Sequence, residues 1–361
     1  MNVLIINTTS FLRKVLKKIT SFLVSWYLLW LYWWYHEDEH WPLLSKSPSI
    51  LNVAFPDFSI EYFMSSFSGS QTVHFEGIIP TELRYWSLTV YDSTGLPYEY
   101  WNDTHFPNHK ISLTLSNYPF MYYVVVIRYY FPRGTPESSS LLPSSLPTVQ
   151  VTNSLGEVIP IRKVSDESRL KNSQSIEKKL YTICSRQFAN YNFDNVNKYQ
   201  FFLPNPSGMS LLFPNADAMY LMVFPKTNES FENKKAVVLH VEGHLPKEIG
   251  RSYPLRFTSF MASNLKTTRT DDSVSDSFLS PHFHLFVAYD SQDAQDVGWE
   301  KQNPSHRLLL WSSTNENPVL IYRQVRTDRN GIFSLKSSTQ NVDGSMVEKV
   351  MGSLYYPRVI H

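Results

Sequence analysis

The feature that most restricts the fold is a repeated pair of blocks. Phe55 to Met64 reads FPDFSIEYFM and Phe213 to Met222 reads FPNADAMYLM, so Phe-Pro, an Asp or Asn, then Tyr and Met recur at one spacing. Val73 to Glu82 reads VHFEGIIPTE and Leu239 to Glu248 reads LHVEGHLPKE. This aligns His74 with His240, Glu76 with Glu242, Gly77 with Gly243 and Pro80 with Pro246. Two blocks in the same order, with a short insertion in the later copy best placed in the polar stretch Lys226 to Lys235, predict an internal duplication. Arg84 and Arg251 follow the second block in the two copies.

Within each copy the apolar residues alternate with polar ones, as they do along a half-buried strand. Val73, Phe75 and Gly77 alternate with His74 and Glu76; Leu239, Val241 and Gly243 alternate with His240, Glu242 and His244. Tyr85 to Tyr91, Ile111 to Leu115 and Met121 to Tyr130 add strands to the first copy. Leu255 to Phe260, Phe283 to Tyr289, Arg307 to Trp311 and Val319 to Val325 add them to the second. Many short strands between turn signals predict a mainly β fold: two tandem, duplicated, jelly-roll-like β-sandwiches over 45–133 and 199–326. The intervening 134–198 begins with the Ser/Pro-rich stretch GTPESSSLLPSSLP, then reads as a hairpin turning at Asn153 to Gly156 and a linker helix from about Asp166 to Phe188. Residues 327–361 read as a polar tail or a docked strand.

Ahead of the sandwiches, Ile19 to Tyr35 carries no charge. As a helix it is about 25 Å long, a little short of the roughly 30 Å hydrocarbon core of a bilayer. Trp30, Trp33, Trp34 and Tyr35 suit the headgroup interface at its far end. Arg13, Lys14, Lys17 and Lys18 precede it and Glu37, Asp38 and Glu39 follow it, so the positive-inside rule predicts a single-pass signal anchor over 19–35. The basic amphipathic arm 1–18 then stays cytoplasmic, and the bulk of the chain lies on the luminal, extracellular or virion-internal side. The bilayer is thus the first expected partner.

Charge limits the other partners. With 33 basic and 32 acidic residues the net charge is +1, too small to draw a polyanion, so nucleic acid is not expected as a partner. The single cysteine, Cys184, forms no intramolecular disulfide and excludes a multi-thiolate zinc site. Gly-x-Ser-x-Gly elbows, phosphate loops and dinucleotide fingerprints are absent, which removes the usual markers of hydrolases, kinases and dehydrogenases.

The blocks resemble a family of uncharacterised exported proteins, mostly bacterial, with tandem β-sandwich domains of unknown function. The resemblance rests on Gly77-Ile78-Ile79-Pro80, Arg84-Tyr85-Trp86-Ser87 and Tyr91-Asp92. It continues at Arg128-Tyr129-Tyr130 before Pro132, at Pro214-Asn215 with Tyr220, and at Trp311 with Tyr322-Arg323. It implies two exported sandwiches and brings no catalytic residues. The histidine and glutamate around Gly77 and Gly243, and the aromatic anchor, depart from the family pattern.

The expected function is binding or structural assembly, with a protein or glycan partner and no cofactor; one version is a minor component of a membrane-containing virus particle. The alternative is a metal-dependent jelly-roll enzyme with one divalent metal. His240, Glu242 and His244 stand at alternate positions and project from one strand face about 7 Å apart, and His282 with His284 repeats the pattern. If those faces meet, imidazoles and a carboxylate make a site for a divalent ion. The plainer explanation is that His-x-Glu is the solvent face of an ordinary strand, present in both copies by shared ancestry. Arg84 and Arg251 are anion-binding candidates, or partners of Glu82 and Glu248. Asn102 and Asn228 begin glycosylation tripeptides that matter if the exported side is a eukaryotic lumen.

Overall fold

The computed structural model describes residues 43–44, 57–92, 96–131, 146–160, 196–204, 215–225, 237–250, 252–327 and 340–360. They form four antiparallel-dominated sheets stacked as two sandwiches. In the first, β1 (Leu43–Leu44), β2 (Ile60–Ser68), β7 (Tyr122–Tyr130), β4 (Tyr85–Tyr91) and β5 (Pro97–Asn102) lie side by side in the order β1-β2-β7-β4-β5. They face β6 (Lys110–Leu115), β3 (Thr72–Ile78), β8 (Thr148–Thr152) and β9 (Val158–Ile159), ordered β6-β3-β8-β9. The second sandwich has β10 (Ala218–Val223), β16 (Pro318–Arg326), β12 (Leu255–Asn264) and β13 (Arg269–Ser275) in the order β10-β16-β12-β13. Its other sheet has β15 (His306–Leu310), β14 (His282–Ala288), β11 (Leu239–His244) and β17 (Arg358–Val359), ordered β15-β14-β11-β17.

Each sandwich has its own core. Phe63, Trp86, Leu88 and Ile127 meet Val73, Phe75 and Val151 in the first; Leu221, Phe260 and Leu320 meet Val241, Phe283 and Leu285 in the second. The outer sheets keep the alternation expected of one wet face: β11 buries Leu239, Val241 and Gly243 and leaves His240, Glu242 and His244 part-exposed. By contrast β4 and β12 are buried at every position. Both faces of these strands are covered, because β2, β4 and β7 also press against β10, β12 and β16, so even their polar residues Ser87, Thr89, Thr258 and Ser259 are buried. Ile60, Tyr85 and Tyr130 form that contact with Ala218, Phe257 and Val325.

The strands expected from periodicity are present, with one difference of assignment. The hairpin β8–β9 is not part of a linker; β8 pairs with β3 and closes the first sandwich, burying Val149 and Val151. Of the two readings of the C-terminus, a polar tail or a docked strand, the structure shows the docked strand. Helix α2 (Gly344–Met351) follows an Asp343 cap that accepts from Ser345 N, and β17 then pairs with β11. Between β14 and β15 a short helix, α1 (Ser291–Asp296), provides the crossover that a parallel pair requires. The anchor expected over 19–35 with Trp30, Trp33, Trp34 and Tyr35, the linker helix and Cys184 lie outside the described residues. Among the described residues no helix is long and apolar enough to cross a membrane.

Candidate metal centre

Because β11 and β14 run antiparallel with Glu242 opposite His284 and His244 opposite His282, all five polar side chains of the two strands emerge on one outer face. His282 Nε2 donates to Glu242 Oε1 at 2.7 Å. His240 Nε2 lies 3.2 Å from His284 Nδ1, and one of the pair donates. The His240 ring stacks on Phe286 with centroids 4.2 Å apart, and His244 stacks on His282 at 4.4 Å. One ligand atom each from Glu242, His282 and His284 falls within 4.8 Å of the other two. Among the described residues no other trio of His, Cys, Asp or Glu comes this close.

The protonation states suit a cation. Partial burial is the main reason His284 sits below the ordinary imidazole range, with His282 and His306 pushing the same way and Glu242 opposing. The hydrogen bond from His282 is the main reason the Glu242 carboxyl sits below the usual carboxylate range. A neutral imidazole and an ionised carboxylate are the forms that bind metal. The proton between His282 and Glu242 occupies the place where a cation would join the same two atoms. Two imidazoles and one carboxylate match the donor set of non-haem iron(II), and also serve manganese or zinc, with further coordination positions left open.

His306 was not visible as part of this cluster in the sequence, since its place opposite His284 depends on the parallel pairing of β14 with β15. It is not a ligand in this arrangement. Glu300 N donates to its Nδ1 at 3.0 Å, and its Nε2 lies 3.1 Å from Asn303 Nδ2. Its role is to cover one flank of His284, with ring centroids 5.4 Å apart. Gly243 is required beneath the site. A Cβ there would lie 2.6 Å from Cζ of Phe283, whose ring crosses under the strand between Glu242 and His244.

Shared ancestry does not account for the cluster. In the first sandwich, β3 pairs with β6 so that Gly77 opposes Ile111, as Gly243 opposes Phe283. Lys110 and Ser112 then stand where His282 and His284 stand. His74 there contacts Thr114 Oγ1 at 3.0 Å instead of a second imidazole. The His-x-Glu pattern is common to both halves, whereas the donors that complete the trio belong to the second alone.

The other candidates are placed elsewhere. Arg84 is buried and makes a two-pronged pair with Asp276 rather than with Glu82, so its guanidinium is committed within the protein. Asn102 is 2% exposed, with Nδ2 donating to Asp217 at 3.0 Å, which leaves no room for a glycan in the folded state. Arg251 and Asn228 lie outside the described residues. A cavity of about 440 Å³ beside Lys247, Gln324, Arg326 and Tyr355 contains none of the histidines.

No family model matches the sequence, and no curated protein matches it. Among solved structures, a putative uncharacterized protein from Burkholderia cenocepacia superposes with a TM-score of 0.53 at 11% identity, covering 92% of this chain and 85% of its own. The VPA0106 protein from Vibrio parahaemolyticus gives 0.47 at 8% identity, covering 94% and 98%. The first likeness shows a shared β fold in a protein of uncharacterised function, and nothing about activity.

Proposed function

We propose that this chain is an exported, membrane-tethered protein built from a duplicated β-sandwich. In this reading it acts by binding, with a divalent metal held by Glu242, His282 and His284 as its binding centre. One observation carries the metal site: donor atoms of two imidazoles and a carboxylate converge within 4.8 Å on two adjacent strands. Exposure favours binding over enclosed catalysis. The side chains of His282 and Glu242 are 46% and 39% exposed, so among the described residues no walls exclude water or surround a substrate. A metal on this surface has open positions for a donor atom from a protein or glycan partner. The tether is supported by the uncharged, aromatic-ended run Ile19 to Tyr35 and its flanking charges. The duplication is supported by the paired sequence blocks and by the like strand orders β2-β7-β4-β5 and β10-β16-β12-β13.

The test is elemental analysis of the full-length chain after equilibration with iron(II), manganese(II) and zinc(II) in turn. About one ion per chain for at least one metal, lost in His284→Ala and kept in His74→Ala, is the expected result. No retained ion with any of the three, or one unaffected by His284→Ala, removes the reading.

A further inference from the structure

We infer that the face between the two sandwiches is a self-complementary mating surface, inherited from a single-sandwich protein that paired with a second copy of itself. This takes up the duplication proposed above and is independent of the metal site.

The strand registers define which residues correspond. Ile60 pairs with Tyr130 and Tyr85 with Tyr130 in the first sandwich; Ala218 pairs with Val325 and Phe257 with Val325 in the second. Ile60, Tyr85 and Tyr130 therefore correspond to Ala218, Phe257 and Val325, and these six make up the buried cluster between the halves. Each half contributes the same three positions, as an interface with two-fold symmetry requires.

The ion pairs follow the same exchange. Arg84 precedes Tyr85 and Arg256 precedes Phe257, while Asp103 follows the end of β5 and Asp276 follows the end of β13. Ser87 opposite Asn102 and Ser259 opposite Ser275 put those strand ends in equivalent register. Arg84 of the first half grips Asp276 of the second, and Arg256 of the second pairs with Asp103 of the first at 3.3 Å. Residue i meets j′ and i′ meets j. The true counterpart of Arg84 is thus Arg256 and not Arg251, which differs from the alignment of the sequence blocks.

One departure from symmetry leaves a trace. Asp57 accepts a hydrogen bond from Ser259, but its counterpart is Asn215, whose Nδ2 donates to Tyr130 at 3.0 Å. Ser87, the counterpart of Ser259, is correspondingly a buried hydroxyl with no hydrogen-bond partner among the described residues. An acid changed to an amide on one side of a once symmetric contact produces this pattern.

The experiment uses the full-length chain with a protease site introduced between residues 161 and 195, cut after folding. The halves are expected to stay together as one 1:1 particle on light-scattering chromatography. Asp276→Asn and Asp103→Asn, which remove the carboxylate partners of Arg84 and Arg256 across the interface, are each expected to weaken their association by at least about ten-fold and by comparable factors. Far-ultraviolet circular dichroism of the uncut variants checks that both still fold. Should either fail, Arg84→Lys and Arg256→Lys read the same two contacts from the opposite side. Halves that separate in the unsubstituted protein, or a loss confined to one of the two pairs, would overturn the inference. Metal content plays no part in this readout, so its outcome is separable from that of the metal site.

Discussion

Glu242 and His282 are joined across two strands by a 2.7 Å hydrogen bond, with His284 close enough for one of its nitrogens to share a cation with both. The contact is diagonal: in the β11–β14 register Glu242 faces His284 directly, and His282 is the next same-face residue along. Such diagonal neighbours are within reach of long side chains, and here the reach turns a row of separate polar residues into a three-pronged donor set.

Removing the carboxylate should therefore remove the ion while sparing the fold. Glu242→Gln keeps the shape of the side chain and loses its charge, and is expected to weaken zinc binding by more than about ten-fold, measured by isothermal titration calorimetry. An unchanged affinity would place the metal elsewhere.

Proton competition gives a second outcome. Both imidazoles must be neutral to bind, so affinity is expected to fall by about ten-fold or more as pH drops from about 7 to about 5. The metal-free protein carries a related signature. The pKa of His284 is lower in the folded state than in the unfolded chain. As pH falls through the ordinary imidazole value of about 6.5, the unfolded chain takes up this proton first and stability declines. Thermal melts of His284→Gln should show a shallower decline over that range. The Glu242 contribution has the same sign at lower pH: its lowered carboxyl pKa supplies stability that is present above the usual carboxylate range and is lost under stronger acid.

Gly243→Ala tests the floor of the site. The added methyl meets the Phe283 ring, a core residue, and is expected to destabilise the protein by about 1–3 kcal/mol and to weaken metal binding with it. Chemical denaturation and calorimetry on one sample check both. Gly156, with φ of +81° and open space around a would-be Cβ, should cost only about 1 kcal/mol when changed to alanine.

Two arginines separate buried from exposed pairing. Arg84→Ala leaves the Asp276 carboxylate buried without its main partner and is expected to cost about 3–5 kcal/mol. Arg358→Ala breaks a surface pair with Glu348 at 3.0 Å and should cost less than about 1 kcal/mol. Denaturant midpoints with unchanged m-values decide it.

Much of the β framework was legible, because alternation along β3, β6 and β11 and long apolar runs at β7 and β16 are direct consequences of one-sided and two-sided burial. Pairing was not. Nothing in the spacing of His306 or Arg358 shows that their strands flank β14 and β11, since sheet neighbours are set by contacts distant in sequence. The same reason hid Asp276 as the partner of Arg84: Glu82 is close in sequence but exposed, whereas Asp276 is delivered by the other sandwich. His282 and His284 were found because alternate histidines need only a strand to share a face. That this face also holds Glu242 required the β11–β14 register.

The central claim is decided most directly by a crystal structure of the zinc-equilibrated chain with anomalous data collected at the zinc edge. The account predicts one peak bonded to Glu242, His282 and His284, with nitrogen and oxygen ligands at about 2.0–2.2 Å. A peak bonded to other residues, or none at these three in a crystal soaked to saturation, would contradict it.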